Sequence, residues 1–200
     1  MKQLRLRLSV AVLLLSGTVL ARAQSSPTAL NFRLDPGATS IHWTLSTTVH
    51  TVHGSFRLKS GELRFDSTTG DASGLITVDS ASGESGDGAR DRRMHREVLE
   101  SSAYPAITFR PTHFTGSLDP AAPGPITVDG IFILHGHDHP LRLTVTLHRT
   151  GDSLTAENRF DIPYVAWGLK DPSTFIFRVE KQVHIDVTAV VNPVEIQTSR

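Results

Sequence analysis

Apolar and polar residues alternate with a period of two through most of the chain, and this alternation constrains the fold more than any other feature. In the clearest run, residues 141–148 (LRLTVTLH), leucine and valine occupy every second position between arginine, threonine and histidine. Successive side chains of a strand point to opposite faces, so one face is dry and the other is wet. Similar runs are Ile41–Leu45, Ser55–Leu58, Leu63–Phe65, Leu75–Val78, Ile107–Phe109, Ile126–Leu134, Leu154–Ile162, Phe175–Val179 and Val183–Val190.

These runs amount to roughly eight to ten strands of ordinary length. The segments that join them are short and rich in Gly, Asp and Pro, and strands do not alternate with helices as they would in βαβ units. The sequence has no internal repeat and no sign of a second domain. The pattern therefore predicts an all-β fold, either an antiparallel barrel or a sandwich.

The period changes only in Ser80–Arg110, which is predicted to form a loop, a helix and then a strand. Asp87 is a candidate N-cap, and Ala89–Glu100 holds good helix formers without Gly or Pro. Met94 and Val98 lie four residues apart and form a narrow apolar stripe, whereas arginines cover much of the remaining surface. We expect one short helix that caps the β body as a lid or a plug.

The first 23 residues have the three regions of a secretory signal peptide. A basic start (KQLRLR) is followed by the apolar segment Leu8–Leu20, which is too short to span a bilayer comfortably. Ala21-Arg22-Ala23 then fits the small-x-small rule for cleavage. We therefore predict that residues 1–23 are removed and that the protein is periplasmic or secreted.

Charge and cysteine content narrow the classes of function. The chain has 20 basic and 20 acidic residues, but residues 1–23 hold four of the basic and none of the acidic ones, so cleavage leaves a formal charge of −4. This balance gives no general attraction to nucleic acid or to anionic membrane, and we expect neither nucleic-acid binding nor stable membrane insertion. The chain has no cysteine, so burial and sheet closure must stabilise the exported domain.

Five short segments carry a resemblance to a known family, which they match in the same order along the chain. They are Leu34-Asp35-Pro36 with Ser40-Ile41, Val52–Phe56, Gly86–Met94 with Arg90-Asp91, Tyr104–Phe109, and Phe132–Gly136 with Pro140. On these segments the chain resembles the YceI-like family over Asn31–Pro193. It departs from the family pattern in the helix, where Arg93-Met94 replaces a histidine-leucine pair and Val98-Leu99 replaces two phenylalanines.

The resemblance implies an exported, lipocalin-like antiparallel β-barrel of about eight strands with one short capping helix. It also implies a function, because the family binds polyisoprenoid or related long-chain lipids in an apolar interior. We expect non-enzymatic binding, transport or sequestration of a polyisoprenoid, quinone or related lipid, with no cofactor, and we leave a homodimer open. The expected organisation is a signal peptide (1–23), a flexible tail (24–30), the barrel domain (31–193) and a C-terminal tail (194–200).

The predicted ligand-binding residues are of two kinds. If the sheet closes, one interior is shared by the apolar residues Trp43, Phe56, Phe132, Leu143, Val145, Phe160, Phe175, Phe177 and Ile185. From the helix, Met94 would cover this interior, and Arg90 and Arg93 would hold a phosphate or other polar head group at the barrel mouth. The alternatives are a barrel filled by its aromatic side chains, which would act through its surface, and a solvated arginine face.

The segment His135–His139 (HGHDH) supports an alternative of another class, a metal-dependent enzyme or metal carrier. On an extended backbone its three imidazoles would point the same way and could bind zinc. However, the segment is one residue short of the H-x-H-x-D-H signature of metallo-β-lactamase-like hydrolases. Gly136 and Pro140 favour a solvated hairpin turn in which the rings fan outward.

A second polar cluster contains the residue types of a serine hydrolase: Ser82, Glu84, Ser85, Asp87 and His95. No G-x-S-x-G turn follows a strand, and polar residues among glycines are typical of an exposed loop. We therefore predict no catalytic residue.

The signal peptide gives the first testable prediction. Sequencing of the N-terminal peptide of the exported protein should find Gln24 as the first residue, because Ala21 and Ala23 are the small residues that signal peptidases require. A mature chain that retained residues 1–23 would contradict the predicted localisation as well as the cleavage site.

Overall fold

Nine antiparallel strands and one short helix form the part of the chain that the computed structural model describes, residues 29–119, 124–150 and 153–194. The predicted signal peptide lies outside the described residues, as do residues 24–28, 120–123, 151–152 and 195–200. The strands are β1 (Ala29–Leu34), β2 (Ser40–Ser46), β3 (Thr51–Asp66), β4 (Ala72–Glu84), β5 (Ala106–Thr115), β6 (Pro125–Leu134), β7 (His137–Thr150), β8 (Ser153–Ile162) and β9 (Val183–Val194).

The sheet closes on itself. Neighbours follow the order β1-β3-β2-β9-β8-β7-β6-β5-β4, and β3 also pairs with β4 while β1 also pairs with β9. β1 and β2 both lie between β3 and β9, antiparallel to each, so they fill one strand position in succession. The described strands therefore occupy eight positions around a closed ring, which confirms the predicted antiparallel barrel of about eight strands.

Side chains fill one end of the barrel. The ring of Phe65 lies 5.8 Å from that of Phe32 and 5.1 Å from that of Phe114, and aliphatic residues of β6, β7 and β8 are buried with them. β6 shows how alternation produces this packing, because every second residue from Ile126 to Leu134 is buried and the residues between them are partly exposed. The period of two read from the sequence is therefore the inside–outside period of the barrel wall.

The helix begins where it was predicted to begin. The carboxylate of Asp87 accepts hydrogen bonds from the backbone N–H groups of Ala89 (2.8 Å) and Arg90 (3.1 Å), which confirms the N-cap. Hydrogen bonds from Arg90 and then Ala89 hold the pKa of Asp87 below its usual value, because they stabilise the ionised carboxylate.

The helix changes type along its length. α1 (Gly88–Arg93) continues as a π-helix over Met94–Val98, and we refer to Gly88–Val98 as the capping helix. It ends two residues earlier than the predicted Glu100, which has a φ of 45° and so lies outside helical geometry. No helix among the described residues is long and apolar enough to cross a membrane.

Two predictions about strands need correction. Ser55–Leu58 and Leu63–Phe65 belong to the single 16-residue strand β3, whose pairing with β4 shifts register at two irregularities rather than breaking at a turn. The predicted strand Phe175–Val179 is wrong. Residues 163–182, which we name the mouth loop, join β8 to β9, and a turn there pairs the N–H of Thr174 with the C=O of Phe177.

The packing of Trp43 on Gly54 gives a prediction about stability. These residues are opposite each other on β2 and β3, and a Cβ at Gly54 would lie 2.1 Å from the carbonyl oxygen of Glu84 and 2.3 Å from the Trp43 ring. We expect Gly54→Ala to lower the free energy of unfolding by about 1–3 kcal/mol, because both neighbours must move. Thermal melting measures the loss, and Gly124→Ala, which would contact nothing within 4 Å, is the control. Equal melting temperatures for the two variants would contradict the packing argument.

Candidate ligand cavity

The barrel is hollow beyond its filled end and encloses a cavity of about 590 Å³. All nine strands, the capping helix and the mouth loop contribute to the wall, and most of the lining side chains are apolar. One molecule of liquid water occupies ~30 Å³, and at about that volume per heavy atom the cavity holds on the order of 20 heavy atoms of a ligand. The alternatives of a filled and an open interior are therefore both realised, at opposite ends of one barrel.

Eleven of the twelve predicted binding residues line this cavity. The strands contribute Trp43, Phe56, Phe132, Leu143, Val145, Phe160 and Ile185, the capping helix contributes Arg90, Arg93 and Met94, and the mouth loop contributes Phe177. The seven residues from the strands share the interior because residues an even number of positions apart on a strand lie on the same face. Their contact with a ligand remains a prediction.

Phe175 is the exception, and its predicted place in the interior is wrong. The residue is 95% exposed and does not line the cavity. It lies in the turn between Thr174 and Phe177, where no ladder imposes a period of two. The segment therefore has the period-two spacing of a strand but no neighbouring strand that pairs with it.

The cavity opens at the end covered by the capping helix and the mouth loop. Among its described lining residues only His50, Arg93, Thr174 and Phe177 are exposed. These residues come from the turn between β2 and β3, from the capping helix and from the mouth loop. We refer to the opening between these three elements as the mouth.

Hydrogen bonds connect the mouth loop to the capping helix and to the turn between β2 and β3. Glu97 of the capping helix accepts from Arg96 (2.7 Å) and from Lys170 of the mouth loop (3.1 Å), and these bonds lower the pKa of Glu97 to about 2. On the other side, the backbone N–H of Thr48 donates to the carbonyl of Arg178 over 3.0 Å. The mouth loop therefore connects the capping helix to the turn between β2 and β3.

The two predicted anion-binding arginines differ in their surroundings. Arg90 is half-buried and donates to the hydroxyl (2.7 Å) and carbonyl (3.0 Å) of Ser85. Arg93 is exposed, pairs with Glu97 at 3.5 Å and donates to the carbonyl of Pro172 over 3.4 Å. Arg90 is thus held against the cavity wall and Arg93 at its rim, which places two cations beside the mouth.

The indole N–H of Trp43 is buried and has no hydrogen-bond partner, although the side chain lines the cavity. Leaving such a donor unsatisfied costs roughly 1–3 kcal/mol. Asn158, which is also buried in the wall, donates from Nδ2 to the carbonyl of Thr144 over 2.6 Å. Protein atoms cover the Trp43 donor on all sides, so a molecule in the cavity would not reach it in this structure.

The mouth loop supplies lining residues that the sequence pattern did not predict. Leu169 and Tyr164 are buried in it, and the Tyr164 hydroxyl donates to the carbonyl of Glu180 over 2.8 Å. Burial raises the pKa of Tyr164 to about 12. The available signal was the length of the loop, because connections longer than about 12–15 residues are commonly functional in compact domains.

The segment His135–His139 contains a two-residue hairpin turn, which confirms the predicted turn. Leu134 pairs with His137, and both residues between them have positive φ, 53° at His135 and 76° at Gly136. Two such angles are the requirement of the type I′ turn, whose twist matches that of the flanking strands.

The three imidazoles of this segment have different environments. Nε2 of His135 lies 2.6 Å from a carboxylate oxygen of Glu100, His137 is exposed, and His139 stacks on Trp167 with ring centroids 4.1 Å apart. The three rings were expected to fan into solvent from an exposed turn, but those of His135 and His139 contact other side chains instead. The described part of the chain contains no group of three or more His, Asp or Glu residues placed to hold a metal ion.

In the structure, His95 of the polar cluster around the serine-rich loop bonds to groups other than Ser82 and Ser85. Nε2 of His95 donates to the carbonyl of Gly83 (2.8 Å), and Nδ1 lies 2.9 Å from the hydroxyl of Ser101, which no earlier pattern had singled out. That hydroxyl also accepts from the buried Ser80 over 3.1 Å. This network joins the capping helix to β4 and leaves Ser82 in a separate bond with the N–H of Arg57.

A comparison with protein-family models matches the YceI-like domain over residues 32–191. This range covers most of the chain and coincides with the barrel. A comparison with curated proteins finds no match.

Solved structures with the same fold include BcnA of Burkholderia cenocepacia, at 18% identity and a TM-score of 0.66 over 80% of this chain and 99% of that one. A polyisoprenoid-binding domain from Saccharophagus degradans, implicated in plant cell wall breakdown, matches at 17% identity and a TM-score of 0.59, over 82% and 99% of the two chains. The Campylobacter jejuni YceI protein matches at 14% identity and a TM-score of 0.58, over 74% and 88%. At these identities the similarity shows the fold alone.

The stacked His139 gives a prediction about pH. Burial, and then the nearby charge of His137, lower the pKa of His139 in the folded state, against an opposing effect of Asp138. In the unfolded chain His139 binds a proton with its ordinary pKa of about 6.5, whereas in the folded chain it binds one only at lower pH. The folded state therefore has its full stability above about pH 6.5 and loses stability as the pH falls through the folded pKa. Between about pH 8 and pH 5, the melting temperature of His139→Phe should fall less than that of the wild type. His42→Gln, at an exposed histidine of β2, is the control, and equal slopes for wild type and His139→Phe would refute the prediction.

Proposed function

The chain belongs to the YceI-like family, and on that premise we propose that it binds a long-chain apolar lipid, a polyisoprenoid, quinone or related molecule, in the barrel interior without catalysing a reaction. The protein would carry or sequester its ligand. The polyisoprenoid-binding domain with the same fold supports this choice of ligand class.

The hollow apolar interior is the observation that carries the proposal. A cavity of about 590 Å³ in so small a barrel leaves apolar side chains without packing partners unless something occupies it. A ligand that buries about 400 Å² of apolar surface would gain on the order of 10 kcal/mol before the costs of ordering, at roughly 25 cal/mol per Å². Burial of area is therefore the main source of affinity.

The cations beside the mouth suit a ligand with an anionic end. Arg90 and Arg93 would attract an anionic head group at the mouth, where solvent limits one ion pair to roughly 0–1 kcal/mol. These groups would set the orientation and preference of the ligand rather than most of its affinity.

The proposed location of the protein is the periplasm or the cell exterior. This rests on the predicted signal peptide, residues 1–23. A lipid with a long apolar chain is nearly insoluble in such a compartment, so a soluble carrier has a physical role there.

We expect the cavity wall and the mouth to respond differently to mutation. Val145→Gln should abolish lipid retention, because it places an amide in the apolar wall. Arg90→Ala should only weaken binding or shift preference away from anionic heads, because solvent limits one ion pair at the mouth to roughly 0–1 kcal/mol. The measurement is mass spectrometry of organic extracts of the purified variants, together with thermal melting.

Thr144→Gln is the matched control, because it places the same side chain on the exposed face of the same strand, one residue away. It should retain the lipid of the wild type. If Arg90→Ala empties the protein while a folded Val145→Gln keeps its lipid, the apolar-cavity mechanism is wrong and the capping helix binds an anion in its own right.

A further inference from the structure

The tip of the mouth loop presents three consecutive apolar side chains to solvent. Phe175 is 95% exposed, Ile176 78% and Phe177 53%. In the neighbouring turn between β2 and β3, Val49 is 66% exposed. Single apolar residues on a surface are ordinary, but a contiguous group of large ones marks a site of interaction.

Backbone hydrogen bonds hold this tip in place. The N–H of Thr174 donates to the carbonyl of Phe177 over 2.8 Å, and the N–H of Phe177 donates back to the Thr174 hydroxyl over 3.1 Å. The base of the turn is closed by Val179, whose N–H donates to the Ser173 hydroxyl over 3.0 Å and which forms a β-bridge with Thr47. The apolar side chains are therefore presented by a defined turn that is joined to the β2–β3 turn.

The apolar surface of the tip continues into the cavity. Phe177 is half-exposed and at the same time lines the cavity at its mouth. Arg93, Thr174 and His50 border the same opening. A surface in contact with the tip would consequently face the mouth directly.

We infer that Phe175, Ile176 and Val49 dock on the surface of a lipid bilayer, with their side chains at the boundary between head groups and acyl chains and the mouth turned toward the membrane. The choice of a bilayer rests in part on the proposed function, because a long-chain lipid resides there. A second copy of the chain fits less well, since four side chains cover far less than the roughly 800 Å² per partner of a stable protein interface.

The local charge favours the same partner. The capping helix with its N-cap (residues 87–98) and the mouth loop together contain seven basic and five acidic residues, whereas the whole chain is balanced at 20 of each. Of these basic residues, Arg178 directly follows the tip and Arg93 donates to Pro172 of the mouth loop, so both lie near the tip, where they would face anionic head groups. Apolar contact dominates, so the docking should survive salt that screens exposed charges.

Co-sedimentation with vesicles of phosphatidylethanolamine and phosphatidylglycerol tests the inference. The exported wild-type protein should sediment with the vesicles, and Phe175→Ser combined with Ile176→Ser should lower its affinity about tenfold or more. Leu75→Ser is the matched control, because Leu75 is 43% exposed on β4, in the half of that strand remote from the capping helix. All variants share the same N-terminus, so any contribution of that segment cancels.

A second arm separates this inference from the proposed function. Val145→Gln, which should lose its lipid, should still sediment with vesicles, whereas the double serine variant should keep the lipid it acquired and exchange it with vesicles more slowly. Vesicle binding by a wild type that never contains lipid would support the docking and contradict the proposed function. The docking is refuted if the wild type does not sediment, if the double variant sediments equally well, or if the tip instead forms a dimer in solution.

Discussion

Closure of the sheet is the constraint on which the rest of the molecule depends. The chain has no cysteine, and the ladder between β3 and β4, from Phe65–Ala72 to Ser55–Glu84, joins the two ends of the strand order. Closure pairs each described strand on both sides, so none is left as an open edge. It also converts an apolar face, which would aggregate if the sheet were flat, into an interior.

The interior stays hollow because several large side chains lie over glycines of neighbouring strands instead of extending to the barrel axis. A Cβ at such a glycine would lie 2.3–2.5 Å from an aromatic ring in three pairs of residues: Trp43 over Gly54, Phe56 over Gly83 and Phe109 over Gly130. An eight-stranded barrel has room for its own side chains or for one slim ligand. Rings that lie along the wall are thus part of the reason that room remains.

The strands and most cavity residues could be predicted from the sequence, because parity along a strand is a local property. Leu143 and Val145 needed only their spacing to be assigned to one face, and Asp87 needed only its place before a run of helix formers. Phe175 shows the limit. It has the same spacing, but only the absence of a ladder partner reveals that the segment is a turn.

Features that depend on packing across the barrel could not be predicted from the sequence. Whether Phe65 fills the interior or Trp43 lines a cavity depends on which rings meet from opposite walls, and no local pattern encodes that. The unpartnered indole of Trp43, the stacking of His139 on Trp167 and the lining residues of the mouth loop belong to the same class. The resemblance to the YceI-like family supplied the lipid-binding hypothesis that alternation alone could not.

The cluster of Phe32, Phe65 and Phe114 makes the cavity a blind tube. A molecule that enters through the mouth must also leave through it, so the part that entered last leaves first. A second molecule binds only after the first has left. A lipid cannot thread through such a protein from one partner to another. Under the proposed function the barrel would act as a shuttle rather than a conduit, and one surface would meet both the donor and the acceptor, at different times.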